Sequence, residues 1–218
     1  MAPAAEICIA KITDNANVHP EEMSEIAKAI NWAVEDCDAD IISMSFAFEN
    51  KNQAIKDAIQ KASRANKLVF AAASNEGANK PRSRLARDSN VICIHACDGN
   101  GNDGGMNPSP LPRKDNFTTL GVGVSSKWKK NVVYKSGTSF ATPVAAAIAA
   151  DVLEFAHFKC ELTDDDRKAL HSQDGMLAVF RAMSTAKSGY DYVQPNHLWD
   201  GKTESEVAKV IQDILDEL

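Results

Sequence analysis

The stretch SGTSFATPVAAAIAA, residues 136–150, decides how the rest of the chain is read. Gly137 marks a turn, and the small apolar residues after it read as a helix able to pack closely on a sheet. Thr138 and Ser139 place hydroxyls in the first helical turn, where unpaired backbone N–H groups and the positive end of the helix dipole favour developing negative charge. Taken alone, either residue is an N-cap.

Upstream, apolar runs alternate with helical periodicity. Residues 5–12 (AEICIAKI) read as a buried strand, and 20–35 as a helix opened by Pro20, Glu21 and Glu22. Residues 40–46 (DIISMSF) read as a strand, 52–65 as a helix, and 67–73 (KLVFAAA) and 90–96 as further strands. Such alternation specifies a mostly parallel sheet with helices on both faces, a three-layer α/β fold. Ligands of such sheets gather at the carboxyl ends of the strands, where Ser45-Phe46-Ala47 and Ser74-Asn75-Glu76-Gly77 fall. Residues 98–114 form a long loop, 120–124 and 132–135 are short strand candidates, and a long helix runs over 138–158. The tail reads as helical over 163–170, 174–185 and 203–218.

Three ordered motifs carry a family resemblance. Gly137, Thr138, Ser139, Ala141, Thr142 and Pro143 resemble, in register, the nucleophile motif Gly-Thr-Ser-x-Ala-Thr/Ser-Pro of subtilisin-like serine peptidases, the subtilases. Residues 71–77 (AAASNEG) are similar to the family's Ala-Ala-Ala-Gly-Asn-x-Gly strand end, and DIISMSFA at 40–47 to the strand that borders its substrate cleft. The resemblance implies Ser139 as nucleophile, Asn75 as oxyanion donor, and Ser45, Phe46, Ala47, Ser74 and Gly77 as the lining of a cleft for an extended peptide. Ser74 and Ala47 stand where the family usually has glycine. The stretch around 98–121 and the tail around 175–193 look like subtilase domains of fungal intracellular multidomain proteins.

The family's Asp and His motifs, Asp-Thr/Ser-Gly and His-Gly-Thr-His, do not occur, and none of the five histidines has that context. The resemblance therefore implies a partial peptidase domain over residues 1–160, its N-terminal part missing, followed by a helical extension over 161–218. It implies a serine endopeptidase whose triad is incomplete in this chain. The alternative is a non-catalytic remnant that binds peptides or partner domains. Serine is a poor nucleophile without an adjacent base. In the family, the strand bearing the Asp lies between those matching 5–12 and 40–45, so its loss leaves a gap in the sheet or forces those two strands to pair directly.

Composition narrows the partners. The 218 residues carry 24 Lys+Arg against 30 Asp+Glu, a net charge of −6, which disfavours nucleic acid. Lys127, Lys129, Lys130 and Lys135 form the one basic cluster, read as a solvated loop. No apolar run is long and uncharged enough to span a bilayer, and 1–12 lack a secretory leader pattern. Five cysteines, an odd and widely spaced set, point to free thiols and an intracellular setting. Cys93 and Cys97 share a strand face about 13 Å apart, too far to hold one metal. Asp98–Asn102 fails the calcium-loop pattern, and Gly121-Val-Gly123 lacks the third glycine of a dinucleotide fingerprint. No cofactor or metal is expected; the expected partners are an extended peptide or protein substrate and the missing N-terminal segment or adjacent domains.

Overall fold

The computed structural model describes residues 2–15, 19, 22–48 and 50–218, so Pro20 and Glu21 of the expected helix opening lie outside the described residues. Eight strands and seven α-helices are assigned among them: α1 Met23–Glu35, β1 Ile41–Met44, α2 Gln53–Arg64, β2 Leu68–Ala72, β3 Ile92–Cys97, β4 Phe117–Leu120, β5 Val124–Trp128 and β6 Asn131–Lys135. The long helix α3 Thr138–Lys159 follows, then α4 Asp164–Leu170, α5 Gln173–Ala182, β7 Ser184–Lys187, β8 Tyr190–Val193, α6 Asn196–Trp199 and α7 Glu204–Asp216. The main sheet runs β1-β2-β3-β4-β8-β7, parallel except for the terminal β7–β8 hairpin.

Two apolar layers sandwich this sheet, as the alternating pattern requires. Ile26, Ile30, Ile55 and Ile59 from α1 and α2 pack with Val69, Ala71 and Cys93 on one face. On the other, Ala141, Ala145, Ala149 and Val152 of α3 pack with Phe70, Ile92 and Ile94, together with Phe180 and Ile211 from the tail. Alanines along α3 let it lie close to the sheet. The 22-residue helix is long and apolar enough to cross a membrane by length and composition. Asp151 and Glu154 interrupt its apolar run, and the apolar character is explained by α3 lying between the sheet and α7.

Three expectations change. Residues 5–12 are not a strand: all but the half-buried Ile12 are exposed, with Ile7 78% and Ile9 83% accessible. A strand needs a lateral partner for its N–H and C=O groups, and β1 has only β2 beside it among the described residues. The segment instead runs past α1, where Ile9, Ala10 and Lys11 share a shallow groove with Lys28, Ala29 and Trp32. The tail is not wholly helical, because β8 joins β4 and β7 closes the sheet. The lysine cluster lies on a paired hairpin, β5–β6, instead of an irregular loop.

His95 lies wholly inside, its Nδ1 3.1 Å from the Phe117 carbonyl. Burial, and then the Arg82 charge, push its pKa down from 6.5 to about 3. Between those values the unfolded chain binds a proton that the folded chain refuses, so stability falls as pH drops through that window, by about 1.4 kcal/mol per unit for one group. Urea unfolding at pH 7 and pH 5 should show a loss of about 2 kcal/mol from this residue that is absent in His95→Gln. An equal loss in both proteins would contradict the assignment.

Candidate active site

The parallel strands end on one side of the sheet, and there the helix α3 begins. Its N-cap, Gly137, has φ +158° and ψ 153° and offers no side-chain cap. The cap comes from elsewhere: Asn75, just beyond β2, accepts from Thr138 N at 2.8 Å and from Thr138 Oγ1 at 3.0 Å through its Oδ1. Since Oδ1 is so engaged, the amide group of Asn75 is held against Gly137, where an added Cβ would sit 3.3 Å from Nδ2. Ser139, half-buried in the first turn, donates from Oγ to the Ser45 carbonyl at 2.9 Å, just past β1.

The structure thus brings together Ser45, Asn75, Gly137, Thr138 and Ser139. The other motif residues support this arrangement from within. Ala141 and Thr142 are buried, and Thr142 Oγ1 donates to the Thr138 carbonyl at 2.8 Å. Pro143, exposed in the second turn, has no N–H for the Ser139 carbonyl, which frees that turn from one helical bond. Phe46 packs toward the α1/α2 layer, while Ala47 is exposed. Gly77 has its amide taken by the Met106 carbonyl at 2.9 Å. Ser74 is buried, its Oγ accepting from Glu76 N at 3.3 Å.

Several positioning residues escape a reading of sequence. Thr119 Oγ1 donates to the Ala141 carbonyl at 2.7 Å, fastening α3 to β4. Gly121 accepts from Gly137 N at 2.8 Å through its carbonyl. A Cβ on Gly121 would lie 2.8 Å from those of Ala96 and Ala141 and 2.9 Å from the Gly137 oxygen, so only glycine fits. Ser83 Oγ donates to the Ala72 carbonyl at 2.8 Å, and Asn107 bonds both backbone groups of Ala96. These contacts hold the ends of β2 and β3, and no local pattern in sequence announces them.

None of the histidines reaches Ser139 by a hydrogen bond among the described residues. His95 is buried and neutral. His171 lies 3.5 Å from Asp40, but that pair sits at the entry to β1, the opposite end of the strand from Ser45. Its pKa is lowered mainly by burial, with Asp40 working against that. His157 is in the last turn of α3. Among the described residues, no group of three or more His, Cys, Asp or Glu side chains is placed to hold a metal ion. Asp98 is occupied instead by its own loop, accepting from the amides of Asn100 and Asn102.

A serine thus stands in the first turn of α3 at the carboxyl ends of the strands, with the Asn75 amide held against Gly137. A model described as the subtilase family matches residues 1–174. The chain belongs to that family. It is 31% identical to the subtilisin-like protease het-Q2 of Podospora anserina, covering 94% of this chain and 62% of that protein. It is also 31% identical to subtilisin DY of Bacillus licheniformis, over 60% of this chain and 48% of that one. The prenylagaramide maturation protease PagA shares the fold at a TM-score of 0.62 and 22% identity, covering 89% of this chain and 67% of that chain. The patellamide maturation protease PatA does so at a TM-score of 0.61 and 22% identity, over 87% of this chain and 68% of that one. The chain spans about 62% of the fungal relative's length.

Ser74 carries a testable cost. Its φ of +153° lies in a region that side chains rarely adopt, at the position where the family usually has glycine. Such strain costs on the order of 1–3 kcal/mol, against about 0.5–1 for glycine's extra unfolded freedom. Ser74→Gly should therefore raise Tm by a few degrees, on the order of 2–4 °C per kcal/mol at this size. A lower Tm would show that Ser74 is not strained.

Proposed function

We propose that this chain is the nucleophile-bearing part of a serine endopeptidase that cleaves peptide bonds through an acyl-enzyme on Ser139. The observation that carries this reading is the fixing of the Asn75 amide by Thr138, the residue before Ser139, at the start of α3. Asn75 Oδ1 is committed to Thr138, while its Nδ2 has no protein acceptor among the described residues. That leaves two preset donors, Asn75 Nδ2–H and the Ser139 backbone N–H of the first helical turn, for the oxyanion of a tetrahedral intermediate. Ser45 and Ala47 supply main-chain groups to an extended peptide, with Phe46, Ser74 and Gly77 forming the surrounding wall.

A backbone carbonyl accepts a hydrogen bond but cannot take the proton that attack releases, so the Ser45 carbonyl orients the Ser139 Oγ without activating it. An imidazole and its orienting carboxylate must come from a segment beyond these 218 residues, which is the partner this reading requires. An intracellular setting, in keeping with five unpaired cysteines, completes the proposal. The second reading, a peptide- or domain-binding remnant, draws support from that same Ser139–Ser45 bond and from Ser74 at the cleft.

A fluorophosphonate probe read by intact mass separates them, with Ser139→Ala as control. Residues 1–218 alone should not label, whereas a chain extended upstream with the family's Asp and His segments should label at Ser139. In that longer chain Asn75→Ala should lower turnover by about 10²–10³, the cost that losing this donor has in subtilisin. Labelling of residues 1–218 alone would overturn the need for a supplied base. No labelling of the longer chain would overturn the peptidase reading.

A further inference from the structure

The hairpin β5–β6 stands apart from the main sheet, its two strands pairing only with each other among the described residues. Two-stranded ribbons of this kind are marginal in water, and both outer edges present unpaired main-chain N–H and C=O groups. This ribbon also exposes three large side chains: Trp128 at 67%, Val132 at 61% and Tyr134 at 73%. The register sets Lys127 opposite Val132 and Ser125 opposite Tyr134, so these four residues share the outward face. Lys129 and Lys130 form the turn, with Lys129 at φ +56°, and Lys135 ends the second strand.

Charge is concentrated on the ribbon. Residues 116–150 contain these four lysines and no Asp or Glu, in a chain whose net charge is −6. None of the four ammoniums takes part in an ion pair among the described residues. The base of the ribbon is tied to the nucleophile turn: Gly123 N donates to Ser136 Oγ at 3.0 Å, and Gly137 N donates to the Gly121 carbonyl at 2.8 Å. A five-residue strand spans roughly 17 Å. Anything laid along the ribbon is therefore held at a fixed relation to Ser139, within the length of a short extended peptide.

We propose that residues 124–135 form an exosite for an acidic, extended polypeptide segment, an Asp- or Glu-rich stretch of a protein partner. Carboxylates answer the four unpaired lysines, and an extended backbone answers the open strand edges, a match that neither a bilayer nor a nucleic acid offers. Tyr134 and Val132, beside Lys127 on the outward face, add apolar contact at low entropic cost. That this partner is also the substrate rests on the peptidase reading above; the binding does not.

Binding is measured by fluorescence anisotropy with a labelled twelve-residue Glu-rich peptide and its Gln counterpart, using the full chain. The Glu peptide should bind at least about tenfold tighter than the Gln peptide, weakening as salt rises from about 50 to about 200 mM. The triple variant Lys127→Glu, Lys129→Glu, Lys130→Glu should lose at least about tenfold, and Tyr134→Ala should also weaken binding. A control triple at Lys51, Lys56 and Lys209 should leave binding unchanged, as should Ser139→Ala. Thermal unfolding of each variant confirms folding, and fluorophosphonate labelling of the upstream-extended chain reports the peptidase reading separately. Equal affinity for the two peptides, equal loss in the control triple, or tighter binding to phosphatidylserine vesicles or a single-stranded oligonucleotide would overturn the proposal.

Discussion

Asn75 Oδ1 accepts two hydrogen bonds from Thr138, and through them the end of β2 is joined to the start of α3. The first-turn N–H groups of a helix need acceptors, and Gly137 cannot provide one from its own side chain. Filling that need from the neighbouring strand end does two things. It closes the helix terminus, and it fixes the orientation of an amide whose remaining donors lie against Gly137. The close approach of Gly121 to Ala96, Ala141 and Gly137 seats the same turn from below, and Thr119 ties α3 to β4. Site geometry in this chain is thus a by-product of how the sheet and its central helix satisfy each other's backbone.

The opposite flank lacks such mutual satisfaction. Among the described residues β1 is an edge, with Ile41–Met44 paired on one side only, and residues 5–12 carry two isoleucines into solvent. Exposed edges and exposed β-branched side chains favour further pairing. The end of β1 leads into Ser45, whose carbonyl holds Ser139. The edge strand β1 and the hydroxyl of Ser139 are therefore adjacent, joined through the Ser45 carbonyl.

What sequence reveals follows how locally each feature is encoded. The turn at Gly137, the position of Asn75 at a strand end and the strands at 40–46, 67–73 and 90–96 are legible because glycine turns, apolar runs and contiguous motifs report themselves within a few residues. The state of residues 5–12 is not, because AEICIAKI becomes a strand only beside a partner. β7 and β8 read as helix or as no element in sequence because their pairing to β4 is long-range. The positioning roles of Thr119, Ser83 and Asn107 are invisible for the same reason: each bonds a backbone group eleven or more residues away.

Amide hydrogen exchange at Thr138 tests the central claim most directly, compared among the wild type, Asn75→Ala and Asn75→Asp. If the Asn75 side-chain oxygen caps α3 and sets the turn that bears Ser139, alanine should speed exchange at Thr138 by about tenfold or more, the equivalent of a lost cap of about 1–2 kcal/mol. Aspartate, which keeps the oxygen, should preserve protection. Unchanged protection in Asn75→Ala would contradict the account, because the turn bearing Ser139 would then be held by something other than this contact.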